Sequence, residues 1–181
     1  MKKVLDRSGG KCQIVAKENS KVEEKQINYP ENSPVIAGFV GHFRHSLDPK
    51  KRLTIPSEWR EQVGEPAKLY ILPGLHGDQC LYVYPAHEMA PHLEKLRKRS
   101  IGDKKARIFA RMLASRSELV FWDAQGRIRI KDELLKFAEL KSHVELIGTW
   151  DHFELWSLER WKQASSVSED IVEDAVRYVD F

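Results

Sequence analysis

Two stretches of this 181-residue chain carry the same polar groups at the same spacing. Leu47-Asp48-Pro49-Lys50-Lys51-Arg52-Leu53-Thr54-Ile55 reappears as Trp122-Asp123-Ala124-Gln125-Gly126-Arg127-Ile128-Arg129-Ile130. Each copy sets an Asp four residues before an Arg and follows it with a β-type alternating run. Arginine suits one kind of chemistry especially well. Its planar, permanently charged fork matches phosphate oxygens, or the O6/N7 edge of guanine, through two parallel hydrogen bonds. A carboxylate four residues earlier can cap the N–H groups of its own turn or hold the guanidinium in one orientation, and aiming the fork beforehand lowers the entropy lost on binding. A single turn of this type is most simply a good turn former with a local ion pair. Repetition with matched flanks argues instead for a task performed in pairs, two cations presented to one anionic partner.

Further basic residues surround the two turns. Arg44, Lys50, Lys51, Arg52 and Arg60 accompany the first, and Arg127 and Arg129 the second. A denser run between the copies, from Lys95 to Arg111, reads equally as a solvated helix face, as a phosphate-contacting surface, or as a surface that meets the acidic C-terminal helix of a neighbouring subunit. The formal net charge of +3 is too mild to decide among these. Other chemistry is thin. His42 and His45 are spaced as a ligand pair, but on a strand they point to opposite faces, and nothing nearby completes a metal site. Cys12 and Cys80 make no disulfide framework, and Cys80 sits in an apolar run as a packed thiol. No phosphate-cradling glycine loop, nucleophile elbow or metalloprotease signature occurs, so neither an enzymatic activity nor a cofactor is expected. Trp59, Tyr84, Trp150, Trp156 and Trp161 recur at matched or alternating positions and are expected in the core rather than as base-stacking platforms.

The elements that must position the turns repeat with them. The offset is 75 residues, from Asp48 to Asp123 and from Arg52 to Arg127, and it continues to Trp59 and Leu134, Leu69 and Val144, and Ile71 and Leu146. Such a duplication predicts one supersecondary unit built twice around a shared core. Alternation from Phe39 to Leu47 predicts a strand, Asp48-Pro49 a turn, and Arg52 to Ile55 a second strand. A short helix over Glu58 to Val63, strands near 67–72 and 79–84, and a helix from Ala86 to about Arg99 follow. A helix from Lys104 to Ala114 carries an apolar face of Ile108, Phe109, Met112 and Leu113. The second copy runs through strands at Glu118 to Trp122 and Arg127 to Ile130, a helix capped by Asp132, strands at Val144 to Trp150 and Phe153 to Trp156, and one acidic helix from Leu158 into the 170s. Residues 1–37 are polar without period and read as a flexible extension. The expected division is 1–37 extension, 38–92 first unit, 93–116 basic connector, 117–162 second unit and 163–181 acidic helix. No apolar stretch of spanning length or signal core occurs, so no membrane partner is expected.

Gly41-His42-Phe43 into Leu47-Asp48, Arg52-Leu53-Thr54-Ile55-Pro56, Phe121-Trp122-Asp123, Gly126-Arg127-Ile128 and the stretch from Gly148 to Trp156 together resemble the MraZ family, bacterial transcriptional regulators related to AbrB-type DNA-binding domains. The resemblance spans about residues 38–162. It implies an α+β fold in which two tandem AbrB/MraZ-type units form one pseudo-twofold, swapped-hairpin β-barrel with short flanking helices. It also implies a homo-oligomeric ring, and binding to double-stranded DNA at direct repeats in the promoter of the division and cell-wall gene cluster, with repression of that operon. The setting would be cytoplasmic and nucleoid-associated. By position, the motif residues carried over are Asp48, Arg52, Asp123 and Arg127, with Arg60 at a basic position of the following helix. With Lys50, Lys51 and Arg129 these form the expected DNA-binding set, and the alternative is a ring-forming interaction scaffold without specific DNA binding. Two departures bear on geometry. Lys51 replaces the glycine that usually precedes the motif Arg, and Ile55-Pro56 becomes Ile130-Lys131, which predicts a different start for the second copy's helix.

Overall fold

The sequence offset becomes a pairing rule between strands. The computed structural model describes residues 38–64 and 67–180, so the expected extension over 1–37 and Cys12 lie outside the described residues. The first copy contributes β1 (His42–Ser46), β2 (Arg52–Thr54), α1 (Ser57–Val63), β3 (Lys68–Pro73) and β4 (Leu81–Pro85). A helical hairpin, α2 (Ala86–Ser100) and α3 (Lys104–Arg116), leads to the second. That copy contributes β5 (Glu118–Phe121), β6 (Arg127–Arg129), α4 (Asp132–Phe137), β7 (His143–Gly148) and β8 (Phe153–Trp156), and α5 (Leu158–Ser165) and α6 (Glu169–Tyr178) follow.

Six strands form one sheet in the order β1-β7-β8-β4-β3-β5, which reads the same backwards once each strand is exchanged for its counterpart. The first strand of each copy therefore pairs with the third strand of the other. Phe43 lies opposite Leu146, and Glu118 opposite Ile71. The copies meet at the centre through β4 and β8, with Tyr82 opposite Glu154. A separate antiparallel ribbon joins β2 to β6, and its middle pair, Leu53 opposite Ile128, marks the pseudo-twofold. Neither copy could complete the sheet alone.

The expected closed barrel does not occur among the described residues. The sheet is open, and its end strands β1 and β5 do not pair with each other. Each end strand runs straight into an Asp turn that carries the chain out of the sheet and into the ribbon, so its free edge is not continued. The ribbon is held down by its own alternation: Leu53, Ile55, Ile128 and Ile130 are fully buried, while the residues between them face outward. Burial of such aliphatic side chains contributes about 1.5–3 kcal/mol each. Trp59, also buried, packs edge-on to Phe39 at 5.7 Å and Phe43 at 5.0 Å and donates its indole N–H to Val40 O at 2.9 Å. That contact ties α1 to the segment leading into β1.

Several expectations are corrected. Trp150 is not in the core; it is 66% exposed at a turn residue with φ +72°. The apolar face expected on α3 is present and largely uncovered, since Leu113 is buried but Ile108 and Phe109 are not. The acidic helix is two helices, because 166–168 interrupts it and Ser168 takes an extended cap conformation before α6. Asp132 does not cap α4. Lys131 holds that position without a side-chain bond, and Asp132 Oδ1 instead meets Lys51 Nζ at 2.7 Å. The two motif helices nevertheless begin alike, Pro56 at φ −51°, ψ 138° and Lys131 at φ −63°, ψ 149°, because lysine adopts freely the backbone to which proline is restricted. Cys80 is fully buried, as expected, and burial pushes its thiol pKa far up.

Candidate nucleic-acid interface

The two Asp turns have the same hydrogen-bond pattern. Asp48 O accepts from Lys51 N at 2.8 Å and Asp48 N donates to Arg52 O at 3.0 Å; the matching distances at Asp123, to Gly126 N and Arg127 O, are 2.8 and 2.9 Å. Each is a turn closed by one residue in the left-handed region, Lys51 at φ +61° and Gly126 at φ +72°. Lys51 thus adopts the conformation a glycine would take, and the expected change of turn geometry does not occur.

The carboxylates do the locking. Asp48 Oδ1 accepts from Lys50 N at 2.8 Å and Arg52 N at 2.9 Å, while Oδ2 accepts from Arg52 Nε at 2.7 Å. Asp123 Oδ1 accepts from Gln125 N at 2.9 Å and Arg127 N at 3.1 Å, and Oδ2 accepts from Arg127 Nε at 2.8 Å and Nη2 at 2.6 Å. One contact crosses the pseudo-twofold, Arg52 Nη1 to Asp123 Oδ2 at 3.6 Å. The Arg127 side chain, with the N–H groups of Arg127 and Gln125, holds the Asp123 pKa down at about 2 against the effect of burial. Backbone donation from Arg52, with its guanidinium, lowers that of Asp48. Both groups are therefore anionic at neutral pH, and the four motif charges cancel.

Strand register places the cations. Arg52 lies opposite Arg129 and Thr54 opposite Arg127, so all four side chains share the outward face of the ribbon. Arg52 and Arg127 are about a quarter exposed, 28% and 24%, with part of each guanidinium spent on the Asp groups. Arg129 is exposed and forms no salt bridge among the described residues, and Lys50 is exposed at the first tip. The net positive charge of the face therefore comes from Lys50, Arg129 and Arg60 rather than from the motif pairs.

Arg60 reaches from α1 to the other copy's turn. Its Nε donates to Ile55 O at 2.9 Å, and its guanidinium lies so close over Gly126 that a Cβ there would overlap it. Its counterpart in the repeat is Leu135, which is buried, so only the second turn carries this cation. Lys51 is diverted to Asp132, and Arg44 pairs with the buried Glu145 at 2.6 Å, away from the turns. His42 also meets Glu145, at 2.7 Å, whereas His45 bonds Thr54 O, so the two histidines have separate partners. The sequence does not single out Thr54, although strand alternation places it beside Arg52, and it suggests Asp132 only as a helix cap, whereas its ion pair with Lys51 depends on a contact between the copies.

A two-stranded antiparallel ribbon of this kind is one of the elements that a DNA major groove admits. The architecture is that of a two-repeat α+β protein that exchanges strands between its copies and presents an Asp-locked Arg turn from each at one central ribbon. A family model described as "MraZ protein, putative antitoxin-like" matches residues 39–112 and again 113–181. The chain is 40% identical over 123 residues to a transcriptional regulator MraZ of Halothermothrix orenii, covering 68% of this chain and 83% of that protein. It is 36% identical over 132 residues to that of Clostridium tetani, covering 73% and 90%, and 36% identical over 144 residues to that of Natranaerobius thermophilus, covering 77% and 98%. The chain belongs to the MraZ family.

Proposed function

We propose that this protein is a sequence-specific DNA-binding transcriptional regulator that meets double-stranded DNA with the outward face of the β2–β6 ribbon. Its targets are direct repeats ahead of its own division and cell-wall gene cluster, where it represses, working in the cytoplasm at the nucleoid. The strand exchange between copies is read as the single-chain counterpart of a swapped-hairpin dimer, with the helical hairpin as the connector. One observation carries the proposal: Arg52, Thr54, Arg127 and Arg129 share one exposed face centred on the pseudo-twofold, with both motif arginines held in place before any ligand arrives. In this reading Lys50, Arg60 and Arg129 supply phosphate contacts, and Arg52 and Arg127 set position and base choice. The relatives' names as transcriptional regulators support it. One ribbon makes few contacts, so several copies in a ring on spaced repeats would gain by effective concentration, about a hundredfold or more.

Gel shifts of the promoter repeats against scrambled DNA test this. Specific binding is expected in wild type and is expected to vanish in Arg52→Ala and Arg127→Ala, with melting curves recorded beside them because both residues also hold their turns. Equal affinity for scrambled DNA, or undiminished binding by the folded double variant, would refute the assignment.

A further inference from the structure

Two apolar surfaces at separate places in the chain have no partner among the described residues. The first is a groove of about 490 Å³ between α2, α3 and the β3–β4 hairpin, floored by Leu72, Tyr82, Tyr84, Leu93, Leu96 and Phe109. Lys95, Arg99 and Lys105 stand along its lining, and Lys98, Arg107 and Arg111 add positive charge on the same helices. The second surface is α6, which buries none of its residues. Ile171, Val172, Val176 and Val179 recur at the spacing of one helical face and stand 59%, 52%, 43% and 64% exposed. The opposite flank carries Glu169, Asp170, Glu173 and Asp174. The helix's one base, Arg177, is already engaged by Glu173 at 3.1 Å and Asp174 at 3.5 Å.

We propose that α6 of a second copy docks into the α2–α3 groove, its aliphatic stripe on the groove floor and its carboxylates against the basic rim. This rests on the reading that several copies act together on DNA, and it names the surface that joins them. Each half is what the other lacks. An amphipathic helix with an open apolar face is the usual occupant of a hydrophobic groove between helices. The charges also have opposite sign, which fixes orientation and rejects wrong partners. An acidic helix cannot serve the DNA face, since it would repel phosphates, so its retention beside a basic module points to a protein surface.

Position favours docking between copies. Helix α6 follows α5, which packs on β7 near one end of the sheet, whereas α2 packs on β3 and β4 toward the other. A contact between a helix of one copy and a groove of the next is heterologous, so every copy donates once and receives once. Repetition of that contact closes a ring if the rotation allows. None of the groove or α6 residues belongs to β2 or β6, so the contact does not draw on the ribbon proposed for nucleic acid.

The full chain in a Cys12→Ser background provides the test. Two tagged forms of different mass, one Val176→Cys and one Leu96→Cys, are co-expressed and oxidised. A disulfide-linked heterodimer is expected, and it should disappear when the helix also carries Glu173→Lys and Asp174→Lys. By light scattering, Ile171→Asp with Val176→Asp is expected to reduce the assembly to smaller species. Arg99→Glu with Lys105→Glu should restore assembly to the lysine-bearing helix variant. These variants should keep wild-type affinity for a single DNA repeat and lose about a hundredfold on an array, the effective-concentration gain. Unchanged mass in the Ile171→Asp, Val176→Asp variant, or a cross-link that forms only when both cysteines are on the same chain, would overturn the proposal. Loss of single-repeat binding in wild type would instead strike the DNA reading.

Discussion

Gly126→Ala is the sharpest probe of how the turns are built, because its effect has two separable parts. Gly126 stands at φ +72°, a region that costs an L-residue about 1 kcal/mol or slightly more. Its new methyl would also overlap the Arg60 guanidinium, which must then leave its hydrogen bond to Ile55 O, a net loss of about 1 kcal/mol. The sum is about 2 kcal/mol, or a fall in melting temperature of about 4–8 °C for a domain of this size. Lys51→Ala at the matched position is the control. Lysine already bears the strain of φ +61°, so alanine there loses only the half-exposed ion pair to Asp132 and should cost less than about 1 kcal/mol. Lys51→Gly should relieve about 1 kcal/mol of strain, offset by the same lost ion pair, and so be more stable than Lys51→Ala. Urea titration followed by tryptophan emission, at one fixed protomer concentration, measures all three. The Arg60→Ala, Gly126→Ala double variant should recover about 1 kcal/mol of coupling, since the clash is gone. Equal losses at positions 51 and 126, or no coupling to Arg60, would refute the reasoning.

Acid titration should report on the Asp locks. The Asp123 pKa is depressed to about 2, so its contribution is present above the unfolded value of about 4 and is lost as pH falls toward 2. Asp123→Asn should flatten the stability curve across that window, and an unchanged curve would count against the lock. His152 shows the opposite sign. Burial disfavours its charged form, but Glu154 and Asp151 outweigh this and raise its pKa, with Nδ1 2.7 Å from Asp151 while Nε2 lacks a hydrogen-bond partner among the described residues and stands 3.8 Å from Glu154. Its stabilising effect should be complete below about pH 6.5 and fade as pH rises through the elevated value; an NMR midpoint below the ordinary one would contradict this. Arg129→Ala should leave melting unchanged while weakening all DNA sequences alike, with a salt slope smaller by about 0.9. A change of sequence preference in that variant would give Arg129 a base contact instead.

Local pattern carried much of this structure. Strand alternation around Leu53 and Ile128 located the buried positions, and the 75-residue offset aligned Asp48 with Asp123 and Arg52 with Arg127 as the structure does. What escaped depends on contacts between distant residues. Nothing near His42 indicates that β1 will pair with β7, because strand partners are chosen by surfaces brought together only in the folded chain. The Arg60 and Gly126 contact joins residues of different copies, and no periodicity encodes it. Strand alternation puts Trp150 in the core, yet its left-handed backbone conformation directs the side chain to solvent. The break before α6 was signalled by Ser165-Ser166-Val167-Ser168, but continuous amphipathic spacing on both sides concealed it.

The departures from symmetry are as informative as the symmetry itself. The β2–β6 backbone obeys the pseudo-twofold closely, down to Ile55 N donating to Gly126 O at 2.9 Å and Ile130 N to Lys51 O at 3.2 Å. The side chains at the two tips do not. One tip offers Lys50 and sends Lys51 to Asp132; the other offers Gln125 and lies beneath Arg60. A perfectly symmetric face would bind a given DNA step equally well in either direction. On the proposed DNA-binding reading, unequal tips on equal backbones would remove that degeneracy, since only one orientation would set the Lys50 end and the Arg60 end against their preferred surroundings. Equalising the tips by Lys50→Gln with Arg60→Leu should therefore relax orientational preference on an isolated repeat more than it lowers affinity. Footprints that keep a single polarity in this variant would show that orientation is set elsewhere than at the ribbon.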